Sequence, residues 1–174
     1  MPVGMDGART GKPDLDRMLS FGGDGPDRMH ASFRVMGACL NPEKVTRITG
    51  LTPDDAHRRG DPKRHGNPWR EGLWTVCSSP PLPKGGNHLE DHLRWLLDRL
   101  EPNASALRHM YAEDGLRADF WCFYSMGRAN SSFGITPSTL AGIAAIEAEL
   151  CLDIYSENAE TELEHWLQDA EPPR

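Results

Sequence analysis

Long apolar runs are missing from this chain. Nowhere does it reach the roughly 18 consecutive apolar residues that span a bilayer, and the opening MPVGMDGARTGKPDLDRML has no apolar centre of the kind a secretory signal requires. The expectation is a cytoplasmic protein with no membrane segment. Cysteine is scarce as well: the four present, Cys39, Cys77, Cys122 and Cys151, lie far apart with no CxxC. That spacing excludes a disulfide scaffold and gives no zinc knuckle. Each sits in an apolar run that reads as a strand, so buried reduced thiols are expected. Aromatics make up only 7% and the net charge is −7, with 19 basic against 26 acidic residues. An acidic chain repels polyanions at long range, which makes nucleic acid an unlikely general partner.

Catalytic signatures are equally absent. The chain has no GxSxG, no GxxxxGK[ST], no GxGxxG behind a strand and no kinase-like set, so no catalytic residue and no cofactor are assigned. Ser78-Ser79 and Ser131-Ser132 stand at strand ends with no histidine near them in sequence. His88 and His92 are four apart on one helical face, a spacing that can offer two imidazoles to zinc. Leu89 occupies the position of the glutamate in HExxH, however, and an exposed face accounts for the pair without a metal.

The length of 174 residues suits one domain with ragged ends. Residues 1–28 are rich in glycine and poor in β-branched residues, and read as a mobile arm. A single domain is expected over 29–156, followed by an acidic helix and tail over 157–174. HASFRVMGACL alternates with the period of two of a half-buried strand. Asn41, Pro42 and Glu43 then start a short helix that Gly50 closes. The prolines and glycines of 51–70 read as a long irregular loop, and Gly72–Ser79 as a second strand.

Asn87 is placed as the cap of the strongest helix, whose stripe is Leu89, Leu93, Leu96, Leu97 and Leu100, with Glu90 and Arg94 as an (i, i+4) pair. Pro102 ends it, and Asn103 starts another helix that runs to Gly115. Arg117–Met126 is a strand apolar on both faces and therefore central. Gly127–Ser131 reads as a hairpin turn into a short strand around Phe133 and Ile135. Thr136-Pro137 opens a helix with Leu140, Ile143, Ile146 and Leu150 on its stripe, and Cys151–Tyr155 is a fifth strand. This order predicts an α+β fold: one mixed or antiparallel sheet of about five strands with helices mainly on one face, in a ferredoxin-like split β-α-β arrangement.

Four stretches in this order, ASFRVMGACLNPEKVTRITGLTPDDAHRRGD, EGLWTVCSS, LEDHLRWLLDRLEPNASAL and STLAGIAAIEAELCLDIY, resemble the bacterial domain-of-unknown-function family 4279. The resemblance runs from about Ala31 to Tyr155. Leu51, Thr52 and Pro53, Arg59, Gly60 and Asp61, Trp74 and Tyr155 occupy the recurrent positions. It implies no catalytic residue. The PKRHGNPWR after Asp61 is richer in arginine and histidine than the family pattern.

That basic loop is the sharpest feature. Between Asn41 and Arg70 seven lysines and arginines face four acids, whereas from Cys151 onward seven acids face Arg174 alone. Arg58, Arg59, Lys63, Arg64 and Arg70, with His57 and His65, can hold an anion or an acidic partner surface, with Trp69 free to stack on a base. The competing reading is bracing, in which the arginines pair with Asp54, Asp55, Asp61 or the acidic tail. The function expected is a binding or interaction module without catalysis, of inhibitor or immunity type, with a protein partner. An enzyme or binding protein for an anionic small molecule using 57–70 is the alternative, and a nucleic-acid-associated factor the weaker one.

Overall fold

The computed structural model describes residues 28–79, 88–126 and 132–156. The expected arm, apart from Arg28, and the expected acidic C-terminal helix lie outside the described residues, as does the expected hairpin turn at 127–131.

Among the described residues five strands form one sheet: β1 (Arg28–Gly37), β2 (Asp55–His57), β3 (Gly72–Cys77), β4 (Arg117–Met126) and β5 (Glu149–Ser156), in the order β2-β3-β1-β4-β5. β1 runs antiparallel to both β3 and β4, and β4 and β5 are parallel. β3 and β4 are therefore parallel to each other with β1 between them, which is the split β-α-β unit anticipated above. The fold is α+β with a mixed sheet. Its element order, β-α-β-β-α-α-β-α-β, is not the ferredoxin-like β-α-β-β-α-β.

Alternation sorts the strands into two faces. Ala31, Phe33 and Val35 of β1, Trp74 and Val76 of β3, and Ala118, Phe120 and Cys122 of β4 are buried on one. The helices α1 (Pro42–Thr49), α2 (Leu89–Leu100), α3 (Ala104–Asp114) and α4 (Pro137–Ile146) cover that face. They insert Val45, the leucines of α2, Leu107, Met110, Ile143 and Ile146 into a single core. The opposite face carries Arg34, Met36, Leu73, Thr75, Cys77, Asp119, Trp121 and Phe123, and it forms the floor of the site described below.

Local chemistry explains most boundaries. The Asn41 side chain accepts from the Glu43 and Lys44 amides, Pro42 fills the first turn, and Gly50 ends α1 in the left-handed conformation. Thr136 caps α4 by accepting from the Thr139 amide. Glu90 does not form the expected pair with Arg94 among the described ion pairs. It reaches across from α2 instead and accepts from the Thr136 amide and hydroxyl at 3.0 and 2.7 Å and from the Thr139 hydroxyl. The carboxylate thereby ties the start of α4 to α2.

Several expectations are corrected. The expected loop 51–70 contains β2, whose Asp55, Ala56 and His57 pair with Thr75, Trp74 and Leu73. This edge is held by backbone pairing and by Asp54, whose carboxylate accepts the Cys77 amide at 2.6 Å, so no apolar alternation marked it. Phe133 and Ile135 lie on irregular chain that packs on the core instead of in a strand. α4 stops at Ile146 because Glu147 turns left-handed at φ 58°, and Leu150 passes to β5. β1 ends at Gly37, which leaves Cys39 exposed on a turn, while Cys77 and Cys151 are half-buried and Cys122 is buried. His88, at the N-cap of α2, is exposed, but His92 is buried, so the expected shared exposed face does not exist.

Candidate functional site

The segment from Arg58 to Glu71 folds back on itself and closes over the face of the sheet that none of α1–α4 covers. The Gly60 amide donates to the Trp69 carbonyl at 2.8 Å, and the Trp69 amide donates to that of Asp61 at 3.1 Å. The Arg58 amide donates to the Asp61 carboxylate at 2.7 Å. Gly72, where the loop enters β3, permits the close approach: a Cβ there would stand 2.8 Å from Leu40 Cβ and 3.2 Å from the His57 carbonyl.

Trp69 anchors the loop. The His57 ring stacks on it at 3.7 Å and 17°, and Lys63 Nζ lies 4.0 Å from its centroid. Two groups that close cannot share one face, so the indole is sandwiched. The expected role of Trp69 as a free platform for a base is thereby replaced by that of a wall.

Between loop and sheet lies an open cleft of about 560 Å³. Arg34, Met36 and Leu73 line it from the sheet, His57 from β2, and Lys63, His65, Trp69, Arg70 and Glu71 from the loop. Of the residues singled out in the sequence, His57, Lys63, His65, Trp69 and Arg70 are thus brought together. Arg58, Arg59 and Arg64 are not among the lining residues. Arg58 pairs with Glu43 of α1 and so braces the loop, through an acid outside the set expected. Among the described residues, Arg59, Lys63, Arg64 and Arg70 have no acid within ion-pair distance.

Two bidentate ion pairs stiffen the floor. Arg34 donates to both Asp119 oxygens at 2.8 and 2.7 Å, and its guanidinium lies 5.3 Å from the Trp121 ring centroid. Arg117 donates to both Glu71 oxygens at 2.9 and 2.8 Å. Arg117 holds the Glu71 carboxyl below its ordinary value, so the acid stays ionised and paired. None of Arg34, Asp119 or Arg117 was singled out as a site residue, whereas His57 was, and β2 brings it to the cleft. The available signal was Arg34 and Asp119 recurring at alternate positions of otherwise apolar strands.

Of the serines named as nucleophile candidates, Ser78 is used structurally, and Ser131 lies outside the described residues. Ser78 Oγ accepts the Ala31 amide at 3.1 Å and stands 2.7 Å from His92 Nδ1, so it has the spatial histidine partner that its sequence neighbourhood lacks. His92 is buried on α2, and the pair clasps that helix to β1 and β3 away from the cleft. Burial raises the thiols of Cys77, Cys122 and Cys151, Cys122 to about 12, which opposes the thiolate that a nucleophile needs. Among the described residues no three His, Cys, Asp or Glu side chains are arranged to hold a metal ion. No helix among them is long and apolar enough to cross a membrane.

Burial also lowers three histidines, His30 against Phe123, His57 against Trp69, and His92 on the buried face of α2. A base whose folded pKa is lowered takes up protons more readily when unfolded. Its contribution is complete above the ordinary value of 6.5 and is lost as pH falls below it. The urea midpoint is therefore expected to fall already between about pH 7 and about pH 5. A second loss follows below 4.5, where Glu43, Glu71 and Glu90, all lowered, take up protons. His92→Gln should flatten the first limb; a midpoint constant down to about pH 5 would contradict this assignment.

No curated protein and no solved structure matches the chain. A family model, Domain of unknown function (DUF4279), matches residues 27–157, from one residue before β1 to one residue after β5. The match takes in the sheet, α1–α4 and the basic loop, and the chain is accordingly a member of the DUF4279 family.

Proposed function

We propose that this protein is a non-catalytic binding module that receives an acidic segment of a protein partner in the cleft between the basic loop and the sheet. The observation that carries the reading is that Lys63 and Arg70, which have no ion pair among the described residues, converge with His65 and Arg34 on one concave surface. The charged rim is exposed while the floor is fixed by bidentate pairs, an arrangement suited to steering and then seating carboxylates. An inhibitor or immunity-type role follows if the acidic segment belongs to the partner's own working surface.

A macromolecule fits better than a small ligand. Small-molecule sites bury most of their ligand, whereas Lys63, His65, Gly66, Asn67, Pro68 and Arg70 are all solvent-exposed here. The cleft volume of about 560 Å³ is the one feature favouring the second reading, an anionic small molecule. Nucleic acid is less suited still, because Trp69 has neither face free for a base.

Titration with a glutamate-rich peptide and, separately, with inorganic phosphate tests the proposal. The peptide should bind in a salt-sensitive manner and phosphate much more weakly. Lys63→Met/Arg70→Ala should cost at least about tenfold in affinity, since each charge-assisted hydrogen bond contributes about 1.5–3 kcal/mol. Its stability should move by no more than about 0.5 kcal/mol. Arg59→Ala/Arg64→Ala, outside the cleft, should leave the affinity nearly unchanged. Equal losses in both double variants would show a diffuse charge effect, and phosphate binding as tightly as the peptide would favour the small-molecule reading.

A further inference from the structure

β5 is an edge strand that, among the described residues, pairs with β4 alone. Leu140, Leu152, Ile154 and Tyr155 are the exposed large hydrophobics of the described chain, at 46, 44, 51 and 45%. All four lie on β5 or on α4, which packs against it. Leu152 and Ile154 are on the helix-covered side, beside their register partners Cys122 and Tyr124, and Tyr155 is on the other. Proteins guard free edges with lysine, proline or shortness. β2, at the opposite edge, is three residues long, whereas β5 has eight residues and neither lysine nor proline.

We propose that β5 docks the β5 of a second copy of this chain, continuing the sheet antiparallel across a two-fold axis. A two-fold demands antiparallel pairing, and matching the two faces permits only registers that differ by two residues. With Leu152 opposite its own copy, Leu150 faces Ile154, Glu149 faces Tyr155 and Asp153 faces Cys151. Moving two residues one way sets Glu149 against Asp153; moving two the other way sets Asp153 against itself. Directly opposed like charges are destabilising. Of these three registers, the ones with the longest overlap, the charge pattern of ELCLDIYS favours the one that also joins the exposed Leu152 and Ile154 of both copies into one apolar strip. The cleft lies towards the other edge of the sheet, so both copies keep it open.

Light scattering on the full chain should give twice the chain mass, falling to the single-chain mass on dilution. Leu152→Asp, which sets two carboxylates face to face on the axis, should give the single-chain mass at every concentration while keeping the circular dichroism of the parent. Position 152 should also crosslink. Leu152→Cys in a Cys39→Ser/Cys151→Ser background should oxidise to a disulfide-linked dimer, and the background alone should not. A full chain that is monomeric at all concentrations overturns the proposal, as does a dimer that survives Leu152→Asp. A monomer that dimerises only after removal of residues 157–174 also overturns it, since the chain's own segment would then hold the edge.

Discussion

Replacing Arg34 by alanine is expected to lower the free energy of unfolding by about 3 kcal/mol. That is the low end of the range for stranding one partner of a buried ion pair, because Arg34 keeps part of its side chain in solvent. Asp119 is only 5% exposed, and its two oxygens accept the Arg34 guanidinium. Without Arg34 the carboxylate stays buried beside Cys151 with no cation hydrogen-bonded to it, and Arg117, engaged by Glu71, acts on it only at longer range. The pair itself is not the source of the effect. Arg34→Met/Asp119→Leu, which removes both charges and keeps the volume, should recover most of the loss. Chemical denaturation of the single and double variants measures both numbers. A double variant as unstable as Arg34→Ala would show that the floor of the cleft depends on the ion pair's geometry instead of on neutralising Asp119.

The largest expected loss is that of Trp74→Ala, about 4 kcal/mol, within the range for truncating a fully buried tryptophan. The indole is completely buried, stacks edge-on against Phe33 with centroids 6.4 Å apart, and donates its N–H to the Thr46 hydroxyl of α1 at 3.0 Å. Alanine would leave a cavity between sheet and helix and orphan the Thr46 hydroxyl at once. Trp74→Phe separates the two effects: it refills most of the space and forfeits only the hydrogen bond, worth about 1 kcal/mol. Hydrogen exchange should show α1 losing protection before α2, since Trp74 is its side-chain hydrogen bond to the sheet. Uniform loss over all helices would mean that α1 is held chiefly by Val45 and by Lys44, which pairs with Asp114 at 2.7 Å.

The helices were legible because their signals are local. The Leu89 to Leu100 stripe, the Asn41-Pro42-Glu43 start and the Gly50 stop each act within one or two turns, and the structure uses all of them. β1, β3 and β4 were legible from alternation for the same reason. Reading failed where an element is held from a distance. β2 has no apolar pattern because its residues lie on an exposed edge, and its pairing depends on β3. The end of α4 has no glycine to mark it, because Glu147 adopts the left-handed conformation itself. The basic loop stood out by composition, yet composition did not separate Arg58, spent on Glu43, from Lys63 and Arg70, which face the cleft.

The sequence by itself determined the α+β class, the core residues of the main strands and helices, the position of the basic loop and the family. All of these follow from periodicity, capping and composition, which act between near neighbours along the chain. Only the tertiary structure decided that Arg34 meets Asp119 and Arg117 meets Glu71, that Trp69 is sandwiched between His57 and Lys63, and that the exposed apolar residues gather at β5. Those contacts join residues up to 85 positions apart. Strand order and register set them, and many registers satisfy the same alternation until the whole core packs at once.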